Sequence, residues 1–220
     1  MPKLDYEKVI KQKWKENAKA VPKLIEREDK DILRQVKTYC DRFDEPSADV
    51  KNKILNDSLF ANCFAKDPVR QTSHEKIAFE YLQKSKEVLN KFCKLPQSGQ
   101  EAVYLTNDGI FQKYSQTGKR IGKALDFYWE NGENVFYASH KYTKESGGAQ
   151  DHQFNEQAEL LRKFKENNKN NEFLFIICDG RYYTKDKVEF LNALTSKRSF
   201  VAGIEQVISK VLSMGVSKNL

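Results

Sequence analysis

Absences set the first limits on this chain. No two of its four cysteines, Cys40, Cys63, Cys93 and Cys178, lie within four residues of each other. That excludes a CxxC pair and a zinc knuckle, which both need thiolates at short spacing. No apolar run approaches the ~18 residues a membrane span needs. The opening MPKLDYEKVIKQKWKEN lacks the apolar stretch of a signal peptide. The expectation is a reduced, soluble, cytoplasmic protein. There is no internal repeat and no low-complexity tract. A phosphate-binding P-loop is excluded as well, because Gly118 and Gly122 lack its spacing and its following Gly-Lys-Ser/Thr.

What is present supports a folded domain. Apolar residues make up 39% and aromatics 12%, too many for a disordered chain. The formal net charge of +7 suits a polyanionic partner, and equally a well-solvated surface.

Residues 4–39 are helical in pattern, with apolar positions at Val9, Ile10, Trp14, Val21, Leu24, Ile25, Ile32, Leu33 and Val36. Pro22 is expected to divide them into two helices. Val50, Ile54, Leu55 and Leu59 mark another helix, and residues 61–71 read as a linker. These segments define a helical N-terminal region, 1–71, suited to dimerisation or DNA contact. An α/β core is expected over 72–220.

Thr72-Ser73-His74-Glu75 opens a helix whose apolar period runs through Ile77, Tyr81, Val88, Leu89 and Phe92. Thr72-x-x-Glu75 matches a capping box. Glu75 also lies on the apolar stripe, where its carboxylate could reach a cleft. Residues 102–106 read as a strand and Asn107-Asp108-Gly109 as a turn. FQKYSQTGKRIGKAL then brings Lys113, Lys119, Arg120 and Lys123 together beside Tyr114. That composition suits a phosphate backbone or an exposed hairpin loop.

The rest is organised around residues 126–156. Two alternating apolar runs joined by Glu-Asn-Gly-Glu-Asn predict a β-hairpin. Alternation places Asp126 and Tyr128 on one face of the first strand, and Tyr137, Ser139 and Lys141 on one face of the second. His140 points to the opposite face. A Gly-Gly loop leads to an amphipathic helix over 150–166 carrying Gln153, Glu156, Leu160 and Phe164 along one side. Residues 172–178, EFLFIIC, read as a strand buried on both faces. Cys178 is expected in the core, and Asp179-Gly180 is either a turn or an acid near a metal. A helix at 188–194, a strand at 200–202 and a helix at 204–212 close the chain. The whole predicts an α/β fold with a central mixed β-sheet flanked by helices.

An acid at the end of one strand and a lysine on its hairpin partner suit metal-dependent phosphodiester hydrolysis. Magnesium takes oxygen ligands from one or two carboxylates, water and a phosphate. A lysine beside it orients the attacking water and stabilises the charged transition state.

The segment resembles a type II restriction endonuclease of the PD-(D/E)xK nuclease superfamily. Asp126 matches the motif's first aspartate, with Leu125 in place of the usual proline, and Lys141 matches its lysine. Ser139 stands where the second acid usually is. One subgroup carries serine there and moves the acid onto the following helix, a little over a dozen residues past the lysine. Glu156, fifteen positions past Lys141, is the corresponding candidate. KYTKESGGAQDHQ followed by FIICDGRYYT, and FAKDPVRQTSHE followed by KLPQSG, extend the similarity over residues 60–205. The Asp126/Lys141 match is generic, whereas the Gly-Gly-Ala-Gln-Asp-x-Gln block is more particular.

The resemblance implies a restriction-endonuclease-like fold and Mg²⁺-dependent, sequence-specific cleavage of double-stranded DNA. It implies a homodimer and a cognate DNA methyltransferase. Asp126, Lys141 and Glu156 are the expected catalytic residues, with Glu75 in reserve, and Asp126 and Glu156 the expected metal ligands. Lys113, Lys119, Arg120, Lys123, Lys144, Gln150, Gln153, Arg181 and Tyr182 are the expected DNA contacts. Asp151 is either a helix cap or part of that surface. The alternative is a DNA- or RNA-binding protein on the same fold that does not cleave.

Overall fold

A computed structural model describes residues 3–68, 73–117, 123–145 and 147–215. It divides into two compact units: Asp5–Ser73, and an α/β unit from His74 onward that also takes in Leu4.

The first unit is helical: α1 (Tyr6–Glu26), α2 (Lys30–Phe43), α3 (Ser47–Asn56) and α4 (Ser58–Asn62). The carboxylates of Asp5, Asp29 and Asp57 cap α1, α2 and α4 by accepting backbone N–H groups that lack a partner inside the helix. Val21, Ile25, Ile32, Val36, Val50, Ile54 and Phe64 form its core. Pro22 does not divide α1, contrary to the sequence expectation. The helix runs through it and ends at Arg27, where Glu28 takes a left-handed φ of 53°. An interior proline costs about 3 kcal/mol. Burial of Val21 and Ile25 on either side, at about 1.5–3 kcal/mol each, offsets that cost.

The second unit begins with α5 (Ser73–Leu82) and a short 3₁₀ turn (Gln83–Ser85). Then follow β1 (Asn90–Lys94), β2 (Val103–Leu105), β3 (Phe111–Lys113) and α6 (Tyr114–Thr117). β4 (Phe127–Asn131), β5 (Asn134–Tyr142), α7 (Gly148–Phe164) and β6 (Glu172–Asp179) come next. α8 (Lys185–Ala193), β7 (Ser199–Ala202) and α9 (Ile204–Gly215) complete it. Five strands form a mixed sheet in the order β1-β4-β5-β6-β7, antiparallel on the β1/β4/β5 side and parallel on the β5/β6/β7 side. β2 and β3 form a separate hairpin.

Residues 88–92 are not the end of a long helix as expected. The helix stops at Leu82, and Asn90–Lys94 pairs with β4 as an edge strand. A bulge between Asn90 and Cys93, with Lys91 at φ 53°, accommodates the change of direction.

The β4/β5 hairpin pairs Phe127 with Ala138 and Trp129 with Phe136. One sheet face therefore carries Phe127, Trp129, Phe136, Phe175 and Phe200, with Trp129 and Phe136 stacked at 5.3 Å. α5 packs there through Phe79. The other face carries Tyr137, Leu174, Ile176, Cys178 and Val201 beneath α7, α8 and the small hairpin. β6 is buried on both faces because it is central and covered on each side.

Because β5 and β6 are parallel and β4 runs against β5, the loop after β5, the loop after β6 and the entry to β4 lie at one end of the sheet. Gly180 ties this end together. Its φ is +97°, and a Cβ there would run into the backbone carbonyl of Thr143. That carbonyl accepts the Tyr182 N–H at 3.1 Å, while the Thr143 N–H donates to Asp179 O at 2.8 Å. Gly132, in the hairpin turn, has φ +60° but open space around it. Gly180→Ala is expected to cost more than 2 kcal/mol or so, and Gly132→Ala about 1 kcal/mol. Denaturant unfolding of the two variants compares them, and equal costs would mean the Thr143 contact relaxes freely.

Candidate functional site

Asp126 stands one residue before β4, with its backbone held from two sides. Its N–H donates to Ala138 O at 2.7 Å and its carbonyl accepts the Leu95 N–H at 2.9 Å. The carboxylate turns to β5, where Oδ2 accepts the His140 N–H at 2.7 Å. Asp126 is 0% exposed, and its Oδ1 has no hydrogen bond among the described residues. Burial pushes this carboxyl up to about 6; the charge of Glu75 adds to the rise, and the His140 N–H, Lys123 and His140 oppose it.

Glu75 belongs to the first turn of α5, with its side chain 16% exposed. Lys94 Nζ lies 3.0 Å from its Oε2 as an ion pair, and that oxygen has no hydrogen bond among the described residues. His74 stacks on Tyr142 at 4.4 Å. Burial, then the charge of His140, lowers the His74 imidazole, while Glu75 raises it. α5 thus begins close to the end of the sheet where Asp126 sits.

Lys141, 6% exposed, and Ser139, 1% exposed, lie on the α7 side of β5, two residues apart on one face. The β4/β5 ladder ends at Phe127/Ala138, and Asp126 also sends its N–H to Ala138, so the strand alternation expected from the sequence does not carry through Asp126. The charges that act on Asp126 are those of Glu75, Lys123 and His140. Lys141 pairs in register with Cys178, whose thiol donates to Gln157 Oε1 at 3.3 Å. The Tyr183 hydroxyl donates to the same oxygen at 3.0 Å. Burial pushes the Cys178 thiol far up, so it is a neutral packing group.

Gln157 is the polar residue that the sequence reading missed. It is 0% exposed, and its Nε2 has no hydrogen bond among the described residues. The available signal was a glutamine set into the buried stripe with Leu161 and Phe164. Glu156, its neighbour, turns aside. Its side chain is 30% exposed and lies 3.5 Å from the exposed His152. The acid whose charge reaches Asp126 is Glu75.

On the opposite sheet face, His140 Nε2 lies 3.4 Å from Asp179 Oδ2, and Asp179 Oδ1 accepts the Ile204 N–H at 3.0 Å. Asp179 therefore holds His140 and the start of α9, a larger role than a turn residue.

The expected DNA contacts divide. Lys144 and Arg181 are exposed in the loops after β5 and β6, at the Asp126 end. Lys123 is partly buried there, and its charge reaches Asp126. Gln150 and Gln153 are partly buried in the first turns of α7. Lys113 is engaged with Glu101 at 2.5 Å. Tyr182 is 4% exposed, donates to Asp151 Oδ1 at 2.5 Å and lies under Lys187 Nζ at 3.1 Å. Lys119, Arg120 and the expected cap at Thr72 lie outside the described residues.

Among the described residues, no group of three or more His, Cys, Asp or Glu is placed to hold a metal. Magnesium asks for less, since one or two carboxylates complete its shell with water and a substrate phosphate. Asp126 Oδ1 and Glu75 Oε2 are the buried carboxylate oxygens without a hydrogen bond among the described residues. Both are hard donors, and Asp126 suffers a burial cost that a nearby cation would relieve. The donor chemistry fits a magnesium ion at Asp126 with Glu75. No helix among the described residues is long and apolar enough to cross a membrane. The chain matches no protein-family model and no curated protein.

Proposed function

We propose that the chain is a Mg²⁺-dependent, sequence-specific double-stranded DNA endonuclease on a PD-(D/E)xK core. The observation that carries this reading is Asp126: a fully buried carboxylate at the entry to β4, with one oxygen free of hydrogen bonds among the described residues and the charge of Glu75 acting on it. Asp126 and Glu75 would hold the ion, which when bound draws charge from the scissile phosphate. The Lys141 ammonium orients the attacking water and stabilises the charge gathering on the phosphate oxygens. Lys144 and Arg181 grip the backbone at the same end of the sheet. Cutting both strands of a symmetric site calls for a two-fold dimer, and protection of the host DNA calls for a cognate methyltransferase. Incubation of plasmid DNA with Mg²⁺ or with EDTA tests the reading. Discrete, metal-dependent fragments are expected, and intact plasmid under both conditions would refute it.

The second carboxylate is where this reading departs from spacing alone. Glu75→Gln is expected to lower cleavage about 100-fold or more, and Glu156→Gln less than about tenfold, on the usual scale for a polar group acting in the transition state. The reverse order in single-turnover rates would return the second carboxylate to α7.

A non-cleaving nucleic-acid-binding protein is the other reading. Ser139 favours it, since a buried neutral hydroxyl occupies the place of the motif's second acid. DNA binding without cleavage in any divalent metal would establish it.

A further inference from the structure

The helical unit carries a charge pattern that the cleavage site does not use. Lys8, Lys11, Lys15, Lys19 and Lys23 are all exposed on α1. At 100° per residue they fall within about a third of the helix circumference. The buried Val21 and Ile25 lie on the other side. The row runs about 22 Å along the axis, from Lys8 to Lys23. Its acid is Glu26, at the far end, while Glu16 on the flank accepts from Gln12 at 2.9 Å. None of the five lysines makes an ion pair among the described residues.

A solvated helix face is ordinarily built otherwise, with acids and bases alternating at i, i+3 and i+4. α2 in the same unit is built that way: Arg34 meets Asp31 at 3.2 Å, and Lys37 meets Asp41 at 2.9 Å. On α1 three i,i+4 pairs along the row are like charges, Lys11 with Lys15, Lys15 with Lys19, and Lys19 with Lys23, while acids stand at i,i+3 or i,i+4 only as Glu7 to Lys11, Glu16 to Lys19 and Glu26 to Lys23. Each like-charged pair opposes the helix. Lys8 adds to this, because a cation in the first turn faces the positive end of the helix dipole. A linear polyanion laid along the row would remove every one of these repulsions.

We infer that this face of α1 is a second, sequence-independent binding surface for the phosphate backbone of duplex DNA, separate from the Asp126 site. The choice of DNA as the polyanion rests on the endonuclease reading; the choice of a polyanion rests on the lysine row alone. Duplex DNA carries a phosphate charge about every 1.7 Å of its axis, so a straight row of this length meets backbone charge along its whole extent. Trp14, 46% exposed, flanks the row, whereas Trp129 is fully buried, so quenching of tryptophan emission reports on this face.

The test uses the full chain with all five lysines changed to glutamine, a residue of similar helix propensity, and a matching five-arginine variant. Binding to a fluorescent duplex is measured in EDTA across a salt series, with circular dichroism as the check on folding. Loss of five phosphate contacts is expected to reduce the salt slope of log K by roughly 3 to 4.5, with the arginine variant close to wild type. A slope change below about 1 in a folded glutamine variant overturns the inference. Stronger lysine-dependent binding of the wild type to phosphatidylserine vesicles than to duplex also overturns it. Cleavage in Mg²⁺ is scored separately. A lysine-dependent slope without cleavage supports this surface and refutes the endonuclease reading. Cleavage with an unchanged slope refutes this surface alone.

Discussion

Asp126→Asn is expected to abolish cleavage and, at the same time, to make the protein more stable at pH 8. The two effects share one cause. An aspartate in an unfolded chain titrates near ~3.9, and in the fold this carboxyl is pushed up to about 6, first by burial and then by Glu75. A carboxyl raised by folding binds its proton more tightly in the native state. Its contribution to stability is therefore full below about pH 4 and lost as pH rises through about 6. Two units correspond to roughly 3 kcal/mol that the charged form costs at pH 8. Asparagine keeps an oxygen for the His140 N–H and carries no charge, so a gain of about 2 kcal/mol is expected at pH 8 and little at pH 4. Unfolding in denaturant at the two pH values measures this. Millimolar magnesium should raise the melting temperature of the wild type much more than that of Asp126→Asn, which keeps Glu75 but loses the charged ligand at position 126. A variant that still cuts DNA would place the chemistry elsewhere. A variant less stable at pH 8 would show that the buried carboxylate is compensated.

Lys141→Ala should give the second large effect, a loss of cleavage of about 10³-fold or more with DNA affinity held within about tenfold. The lysine is 6% exposed at the end of the strand face that also carries Tyr137 and the buried Ser139. Lysine is almost never buried so far without a function or a partner. Its proposed work is on the water and on charge that develops as the phosphate reacts, so kcat should fall while binding stays. Gel-shift affinity with Ca²⁺ and single-turnover cleavage with Mg²⁺ separate the two. Equal losses in both would make Lys141 a DNA contact and remove it from the chemistry.

Much of the architecture was legible in the chain because it is encoded locally. Alternating residues around Glu-Asn-Gly-Glu-Asn read as the β4/β5 hairpin, and the register follows from the two-residue turn at Gly132-Glu133. The run ending at Cys178 read as a doubly buried strand, and a central strand has no other composition available. The 3.6-residue period of α7 was visible from Gln150 to Phe164.

Where the reading failed, the deciding interactions are distant in sequence. Val88, Leu89 and Phe92 continue the helical period of α5, yet pairing with β4 turns Asn90–Lys94 into a strand. Proline ends helices by local sterics, yet burial around Val21 and Ile25 carries α1 through Pro22. At the site, the sequence alone brought an acid and a lysine to the same end of one hairpin, because turn length is a property of the chain; the alternation that would put both on one face does not carry through Asp126, whose N–H goes to Ala138. Only the tertiary structure shows which acid's charge reaches Asp126. Spacing favoured Glu156, fifteen residues past Lys141, whereas the packing of α5 brings the charge of Glu75 to Asp126 and leaves Glu156 beside His152. Helical phase says which way a side chain points along its own axis. How that axis is laid across the sheet depends on Phe79, Phe92 and Phe127 packing together, contacts that no local pattern contains.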